Sequence, residues 1–284
     1  RWLPGWKPAA WPVLTHHRPQ GSLAKLVALA DWLSSGERDD QDIPPQARSK
    51  QLLSVFSRVR LEAREPPPAW LPLRPLRVEA ETIFPLAQPS SAPQEQAAYQ
   101  ELWRSFVDEV SRVPPELSFE ARFQTLLALL QKYTWCVPSA YWGTVPDVSL
   151  YDQSRATCAL AAALYRSGLG EPEADALLAQ QGDAWRAERL ALVSGDVTGV
   201  QRFIYTITAK GAARGLRGRS FYLQLLTEAI ARWLLRELQL PLANLLYAGG
   251  GRFYLLTHRL EADHLADLQR RLDHLLLHVH EGDL

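Results

Sequence analysis

One stretch of the sequence, residues 190–221, constrains the fold more than any other. It begins with the apolar run 190–193, which is typical of a strand that a sheet buries on both faces. Ser194, Gly195 and Asp196 follow with the composition of a turn. We therefore expect Asp196 at the carboxyl end of a strand. A carboxylate there can bind a metal or fix a loop, or it can simply cap a helix.

The second half of this stretch alternates glycine with cations. Between residues 210 and 220 the sequence reads Lys-Gly-Ala-Ala-Arg-Gly-Leu-Arg-Gly-Arg-Ser, and an apolar, helix-forming run follows. Glycine permits close backbone approach, and the amino end of a helix together with positive charge favours an anion. Arg217 and Arg219 are therefore candidates for phosphate contact, although a solvated basic loop explains the same residues equally well.

The chain beyond residue 220 predicts a helix, a hairpin and a second helix. The first helix ends at Pro241, which lacks the N–H that a helix interior needs. Two apolar runs, 244–248 and 253–257, flank a Gly-Gly-Gly-Arg tetrapeptide, which is a hairpin signal. Residues 261–280 carry leucines at helical spacing and form the last predicted helix.

These elements predict an α+β fold. The order strand, helix, strand, strand, helix is that of a ferredoxin-like βαββαβ unit without its last strand, which residues 283–284 would begin. Three segments precede it: residues 1–50, a proline-rich connector with two edge strands at 51–94, and a helical region at 95–188. The expected carboxyl-terminal domain is 189–284.

A possible metal site lies near the amino terminus. His16 and His17 are adjacent, and Asp31 lies on a helix that begins near Ser22. Imidazoles and a carboxylate are suitable ligands for a divalent metal. Surface histidines without a metal are the alternative interpretation.

The composition narrows the class of protein. Lysine plus arginine and aspartate plus glutamate number 31 each, so any nucleic-acid contact depends on local basic patches. Two cysteines are too few for a disulfide framework, and a reducing cytoplasm fits best. No apolar run approaches the ~20 residues that span a bilayer, so we expect no membrane contact. The chain starts at Arg1 and contains no methionine, which favours a fragment or a set of joined pieces.

Four stretches resemble one known family, and they follow the same order as in that family. The sequence GDVTGVQRFIYTITAKGAARGLRGRSFYLQLL resembles the first palm (polymerase/cyclase) domain of the large subunit of type III-A CRISPR effector complexes. The other three are residues 16–19 with 30–38, residues 146–152, and residues 247–254. Together they span nearly the whole chain.

The resemblance implies a partial HD-type nuclease domain at residues 1–50. His16, His17 and Asp31 would then bind Mn, Mg or a similar divalent metal, whose bound hydroxide attacks single-stranded DNA. The defining His-Asp doublet does not occur ahead of these residues in this sequence. Where family members usually have Asp-His, this chain has Asp152 and Gln153. Both differences weaken the expected nuclease site.

The resemblance also implies that 189–284 is a truncated first palm that does not catalyse. Catalytic palms carry Gly-Gly-Asp-Asp at the hairpin tip, whereas this chain has Gly-Gly-Gly-Arg. Such a palm would bind ATP opposite a second, carboxylate-bearing palm of the same subunit. The expected nucleotide contacts are Asp196, Thr198, Gly199, Gln201, Gly249, Gly250 and Gly251, with Arg217 and Arg219 as candidates for phosphate or guide RNA.

The implied function is that of the amino-terminal part of a type III RNA-guided surveillance subunit. The intact subunit would degrade single-stranded DNA and make cyclic oligoadenylates from ATP when guide RNA pairs with target RNA, beside other subunits of the complex. Two alternatives remain open. One is a stand-alone diguanylate-cyclase-like nucleotidyltransferase, and the other is a non-enzymatic scaffold that docks guide RNA and neighbouring subunits.

Overall fold

The chain folds into two compact units that alternate along the sequence. The computed structural model describes residues 15, 17–35, 50–60, 66–140, 145–180, 186–205 and 212–282. The first unit comprises residues 1–19 and 31–157, and the second comprises 20–30 and 158–284. The predicted division at residues 50, 94 and 188 stays a prediction.

Ahead of residue 189, the regular secondary structure of the described residues is mainly helical. The helices are α1 (Ser22–Ser34), α2 (Ala80–Ile83), α3 (Ala92–Ser111), α4 (Phe119–Thr134), α5 (Leu150–Arg166) and α6 (Glu171–Leu178). Local caps explain two of their starts. Ser91 forms a capping box with Gln94, and the Ser118 hydroxyl accepts a hydrogen bond from the Ala121 amide at 3.2 Å.

The described residues of the proline-rich connector form isolated bridges rather than the two edge strands that we predicted. Trp70 pairs with Leu53 on one side and with Leu86 on the other. The buried Gln51 side chain links the chain around Leu71 to the chain around Ser90. Its Nε2 donates to the Leu71 carbonyl at 2.6 Å, and its Oε1 accepts from the Ser90 amide at 2.9 Å. Proline removes donors that a longer ladder would need, so side-chain contacts order this region.

A half-buried ion pair supports the packing of α3 against α4. The Lys132 ammonium lies 2.5 Å from a Glu109 carboxylate oxygen. This hydrogen bond lowers the pKa of Glu109 and raises the pKa of Lys132. Below it, Leu102, Tyr133 and Cys136 are buried together, and burial raises the pKa of the Cys136 thiol to about 12.

The second unit contains a three-stranded antiparallel sheet with the order β1-β3-β2. Its elements are β1 (Leu190–Asp196), α7 (Val200–Tyr205), α8 (Ala212–Glu237), β2 (Leu245–Gly249), β3 (Arg252–His258) and α9 (Ala262–His280). The predicted order strand, helix, strand, strand, helix is therefore present, with the short α7 added after the first strand.

The structure corrects three predictions for residues 190–221. Ser194 and Asp196 are not in a turn, because they continue β1 opposite Tyr254 and Arg252. Nor is the strand buried on both faces, since alternate residues such as Leu192 and Asp196 are exposed. The glycine-and-arginine segment from residue 212 is also helical rather than a loop, and it forms the first turns of α8.

The core of the second unit lies between the sheet and α8. This helix buries Leu223, Thr227, Ile230, Ala231 and Leu234, which recur at helical spacing, and β3 contributes the buried Phe253 and Leu255. Burial of each large apolar side chain contributes about 1.5–3 kcal/mol. Gly195 is required beneath Phe253, because a Cβ at this position would lie 2.2 Å from the ring. The core thereby fixes the end of β1.

Among the described residues, no helix is both long enough and apolar enough to cross a bilayer.

Candidate functional site

The antiparallel register brings Asp196 and Arg252 together at one end of the sheet. Arg252 Nη2 lies 2.8 Å from Asp196 Oδ2, and each side chain is 57% exposed. The hydrogen bond to the carboxylate raises the pKa of Arg252 above its ordinary value. Beside this pair, the Val197 amide donates to the Gly251 carbonyl at 2.8 Å. The end of β1 is therefore joined to the β2–β3 turn by a charged contact and a backbone contact.

Glycines allow this turn to lie against the segment that follows β1. Gly250 and Gly251 have φ angles of 62° and 87°, in the left-handed region that favours glycine. A Cβ on Gly251 would also lie 3.0 Å from Cγ2 of Val200, in the first turn of α7. Gly199, with a φ of 77°, allows the chain to reverse between β1 and α7.

Most of the predicted nucleotide contacts therefore lie at one end of the sheet, which we call the hairpin tip. The set consists of Asp196, Thr198, Gly199 and Gln201 on the β1–α7 side and Gly249, Gly250 and Gly251 on the hairpin side. Thr198 and Gln201 are exposed. Their role in binding stays a prediction.

Two tyrosines next to the tip were missed in the sequence analysis. Tyr247 and Tyr254 are paired across β2 and β3, with ring centroids 6.1 Å apart. Tyr247 is 53% exposed, and its hydroxyl lies where a Cβ on Gly249 would come within 2.8 Å. Exposed aromatic rings can stack against a nucleobase. The strand register, which the sequence does not specify, would have been needed to find them.

The two arginine candidates have different surroundings. The Arg219 guanidinium stacks over the Phe203 ring at 4.9 Å from its centroid and donates to the Phe203 carbonyl. It therefore holds α7 against α8. Arg217 is exposed on the same helix. Contact of either residue with phosphate or guide RNA stays a prediction.

A groove of about 760 Å³ runs between β1 and α9. Its α9 wall is mainly apolar and includes Leu265, Leu268, Leu272, Leu276 and Leu277. Ser194, Asp196 and Thr198 line the other wall. Because β1 lies at an edge of the described sheet, this groove is next to an open strand edge.

The predicted metal ligands near the amino terminus do not form a site within the described residues. His17 is exposed, Asp31 is half-buried on α1, and His16 lies outside the described residues. In the part of the chain that the structure describes, no group of three histidine, cysteine, aspartate or glutamate side chains could hold a metal ion. The described residues thus do not fit a metal centre, and the trio stays a prediction.

A neutral hydrogen-bond network occupies the region between the end of α1 and the start of α5. The Gln153 amide donates to the hydroxyls of Ser34 and Ser35 at 2.9 and 3.0 Å, and Ser34 also contacts the Thr157 hydroxyl at 2.8 Å. Both serines donate to the Asp31 carbonyl. Gln153 is only 6% exposed, and its Oε1 is buried without a hydrogen-bond partner. An amide thus stands where the family resemblance leads us to expect an imidazole.

By its fold, the chain is a mixed α and β protein with a small antiparallel sheet, and the tip of that sheet carries an ion pair instead of two carboxylates. The family described as Csm1 subunit domain B matches residues 189–284. One relative is the CRISPR system single-strand-specific deoxyribonuclease Cas10/Csm1 (subtype III-A) of Methanocaldococcus jannaschii, which is 34% identical over 300 residues. That alignment covers 94% of this chain and 36% of the relative.

Solved structures agree with these matches. A crystal structure of Csm1 from T. onnurineus is 29% identical with a TM-score of 0.68, and the similarity covers 91% of this chain and 32% of that chain. The Csm1-Csm4 cassette in complex with one ATP is 27% identical with a TM-score of 0.66, covering 91% and 31%. The chain thus spans about a third of the length of these proteins. Together, the matches support a Cas10/Csm1 large subunit of the type III-A subtype, of which the chain covers part.

Proposed function

We propose that residues 189–284 form a palm that binds ATP without catalysing its conversion. The observation that carries the proposal is the hairpin tip, where Arg252 contacts Asp196 in place of a carboxylate pair. Nucleotidyl transfer by two metal ions needs carboxylates that hold both ions. A tip without them can still bind a nucleotide through donors and aromatic rings. The similarity to a cassette that contains one ATP supports ATP as the ligand.

The proposed contacts follow from what each part of the tip can offer. Thr198, Gly199 and Gln201 provide hydroxyl, backbone and amide groups at the exposed end of β1. The glycines of the turn let a ligand approach the backbone closely. Tyr247, with Tyr254 beside it, offers a surface for the adenine ring. Arg217 is a further candidate for phosphate or guide RNA.

The second unit is proposed to be a ferredoxin-like palm, completed by a fourth strand in the groove beside β1. The strand order β1-β3-β2 leaves one edge of β1 open, and the apolar wall of α9 flanks that edge. The end of α9 lies at the same end of the sheet as α7, because Arg202 Nη2 donates to the Gly282 carbonyl at 2.7 Å. A strand antiparallel to β1 would satisfy its open edge and cover the leucines.

In the longer subunit, this palm would act beside a second palm that carries the catalytic carboxylates. The pair would convert ATP to cyclic oligoadenylates when guide RNA pairs with target RNA. Similarity to Csm1-Csm4 complexes supports other effector subunits as partners. We propose that the divalent metal acts in the second palm, because the tip described here carries Arg252 at a position where catalytic palms carry a metal-binding carboxylate.

Cleavage of single-stranded DNA is proposed for the intact subunit only. The support is the name of the relatives, single-strand-specific deoxyribonuclease. In this chain, His16, His17 and Asp31 are the proposed contribution to the HD-type site. The neutral Gln153 network does not supply a metal ligand of the expected kind, so we derive no metal-dependent step from the described residues.

Calorimetric titration of the 284-residue chain with ATP tests the proposed nucleotide site. We expect saturable ATP binding, and about tenfold weaker binding for the double variant Thr198→Ala/Gln201→Ala, since each side chain contributes hydrogen bonds. Gln100→Ala, an exposed glutamine on α3, is the control and should leave the affinity unchanged.

Three outcomes contradict the proposal in different ways. No heat at saturating ATP favours the scaffold alternative. Tighter binding of GTP than of ATP favours the diguanylate-cyclase-like alternative. Saturable ATP binding that the double variant leaves unchanged places the nucleotide away from the hairpin tip.

A further inference from the structure

The carboxylate of Asp196 is already neutralised by a positive charge from within the chain. The Arg252 guanidinium approaches it to 2.8 Å, and the antiparallel register places the two residues directly opposite each other. Carboxylates are common ligands of divalent cations, and Asp196 lies at the end of a strand where one could bind. Here the space next to it holds a guanidinium.

The surroundings offer few other ligands for a metal. Mg²⁺ in nucleotide sites is bound through one or two carboxylates together with substrate phosphates. Asp196 lines the groove beside β1 and so does Asp273 of α9, but no group of three potential ligands occurs among the described residues. A cation here would also have to displace or repel Arg252.

The same guanidinium is suited to phosphate. It carries five N–H donors in a planar arrangement that matches phosphate oxygens, and its contact with Asp196 involves one nitrogen, Nη2. Arg252 is 57% exposed, so a ligand can reach the group. The carboxylate holds it in place, because a charge-assisted hydrogen bond restricts a long side chain.

We propose that Arg252 takes the place of a divalent cation at this tip and binds the nucleotide phosphates directly, so that ATP binding here is independent of metal. Asp196 is then a positioning residue for Arg252 and does not bind a metal. The inference rests on the ATP-binding function proposed above, and it specifies how that site handles the phosphate charge.

ATP titrations of the full chain in MgCl₂ and in EDTA test this inference. We expect the dissociation constants of the unsubstituted chain in the two buffers to agree within about threefold. Arg252→Gln should weaken binding in EDTA by about tenfold or more, since it removes charge-assisted hydrogen bonds to the phosphates. Asp196→Asn loses the charge that positions Arg252, so it should weaken ATP binding by about three- to tenfold, and by the same factor in both buffers.

Arg259→Gln is a matched control. Arg259 follows the other end of β3, is 58% exposed, and forms an exposed ion pair with Glu188, so the substitution removes the same charge from a similar environment. It should change ATP affinity by less than about twofold. Circular dichroism and thermal unfolding of every variant verify that the fold is intact.

The outcomes separate this inference from the function on which it rests. If ATP binds but EDTA weakens binding tenfold and Asp196→Asn abolishes the magnesium-dependent part, Asp196 is a metal ligand and the inference is wrong while the nucleotide site stands. Equal effects of Arg252→Gln and Arg259→Gln overturn it as well, because charge alone would then explain the loss. If the unsubstituted chain binds no ATP in either buffer, the proposed function and this inference both fail.

Discussion

We compare the hairpin tip of the second unit with the hydrogen-bond network around Gln153 in the first unit. This network joins the end of α1 to the start of α5, and we call it the helix crossing. At the helix crossing the family resemblance leads us to expect an imidazole that could bind a metal, and at the tip catalytic palms carry carboxylates, but in this chain both places hold other polar groups. At the helix crossing the replacement is a buried, neutral amide bonded to two serines. At the tip it is an exposed ion pair.

Burial determines what each replacement can contribute. A buried amide forms its hydrogen bonds within the protein, so its removal mainly lowers the stability of the fold. An exposed ion pair contributes little to stability because solvent screens it, but its charge stays accessible to a ligand. The helix crossing is therefore a structural feature, whereas the tip is suited to binding.

The largest expected effect on stability comes from disrupting the packing of Gly195 against Phe253, which supports the end of β1 at the tip. In Gly195→Ala, the added Cβ would lie 2.2 Å from the Phe253 ring. We expect destabilisation of the second unit by about 3 kcal/mol, because a packed core accommodates extra volume poorly. Denaturant unfolding followed by hydrogen exchange measures it. Gly218→Ala, in an open part of α8, should instead be neutral or slightly stabilising. Equal stability of the two variants would show that Gly195 does not limit the packing.

Gln153→Ala should have the next largest effect. It leaves a small cavity and removes the donors to Ser34 and Ser35, so we expect a loss of about 2 kcal/mol from the first unit. Gln153→Met keeps most of the volume and removes the unpaired Oε1, and it should cost less than the alanine variant. Gln131→Ala on the exposed face of α4 is the control. An alanine variant as stable as this control would contradict the structural role of the network.

Acidification should destabilise the two units at different pH values, and by smaller amounts than the two substitutions above. Burial, Arg166 and His264 lower the pKa of His258, so its neutral form is favoured in the folded second unit. The resulting stability is complete above pH 6.5 and is lost as the pH falls through the lowered pKa. In the first unit, Lys132 lowers the pKa of Glu109, so that contribution is complete above pH 4.5 and is lost at lower pH.

Hydrogen exchange as a function of pH checks this order. We expect protection of β3 to decrease first on acidification and protection of α3 and α4 to decrease at lower pH. His258→Gln should remove the first change, and Glu109→Gln should remove the second. Loss of protection in α3 and α4 before β3 would contradict the assignment.

The smallest effect on stability is expected at the tip itself. Arg252→Gln removes an exposed ion pair, so the melting temperature should stay within about 1 °C of the original value. Differential scanning fluorimetry of this variant beside Arg259→Gln measures the change. A large decrease in melting temperature would mean that the Asp196–Arg252 contact is structural, and the contrast with the helix crossing would disappear.

Local sequence signals predicted much of the second unit. The Gly-Gly-Gly-Arg tetrapeptide between apolar runs gave the hairpin, and leucine spacing gave α8 and α9. Asp196 lies at the carboxyl end of β1 as predicted, but the extension of the strand through Ser194 and Gly195 was not predictable in this way. Ser194 and Asp196 have the composition of a turn, but pairing with β3, more than fifty residues away, extends the strand through them. Non-local pairing overrides local preference here.

Prediction of the site would have required the same strand register, which is set by pairing between residues far apart in the sequence. Sequence reasoning identified the residues of the tip individually, but not the contact between Asp196 and Arg252 or the pairing of Tyr247 with Tyr254. Nor did it indicate that residues 20–30 belong to the second compact unit. Helical spacing shows that α1 has an apolar side, but it does not show which partner covers that side.

The position of Lys25 has a consequence for synthesis of the chain. Its ammonium lies 2.7 Å from carboxylate oxygens of both Glu171 and Asp175, which follow it by 146 and 150 residues. At about 5–20 residues per second, a ribosome needs roughly 7–30 s to produce these partners. Until then, Leu26 and Leu29, which are buried in the folded chain, lack the neighbours that cover them. A helix made early in synthesis must therefore wait for residues made much later before its packing is complete.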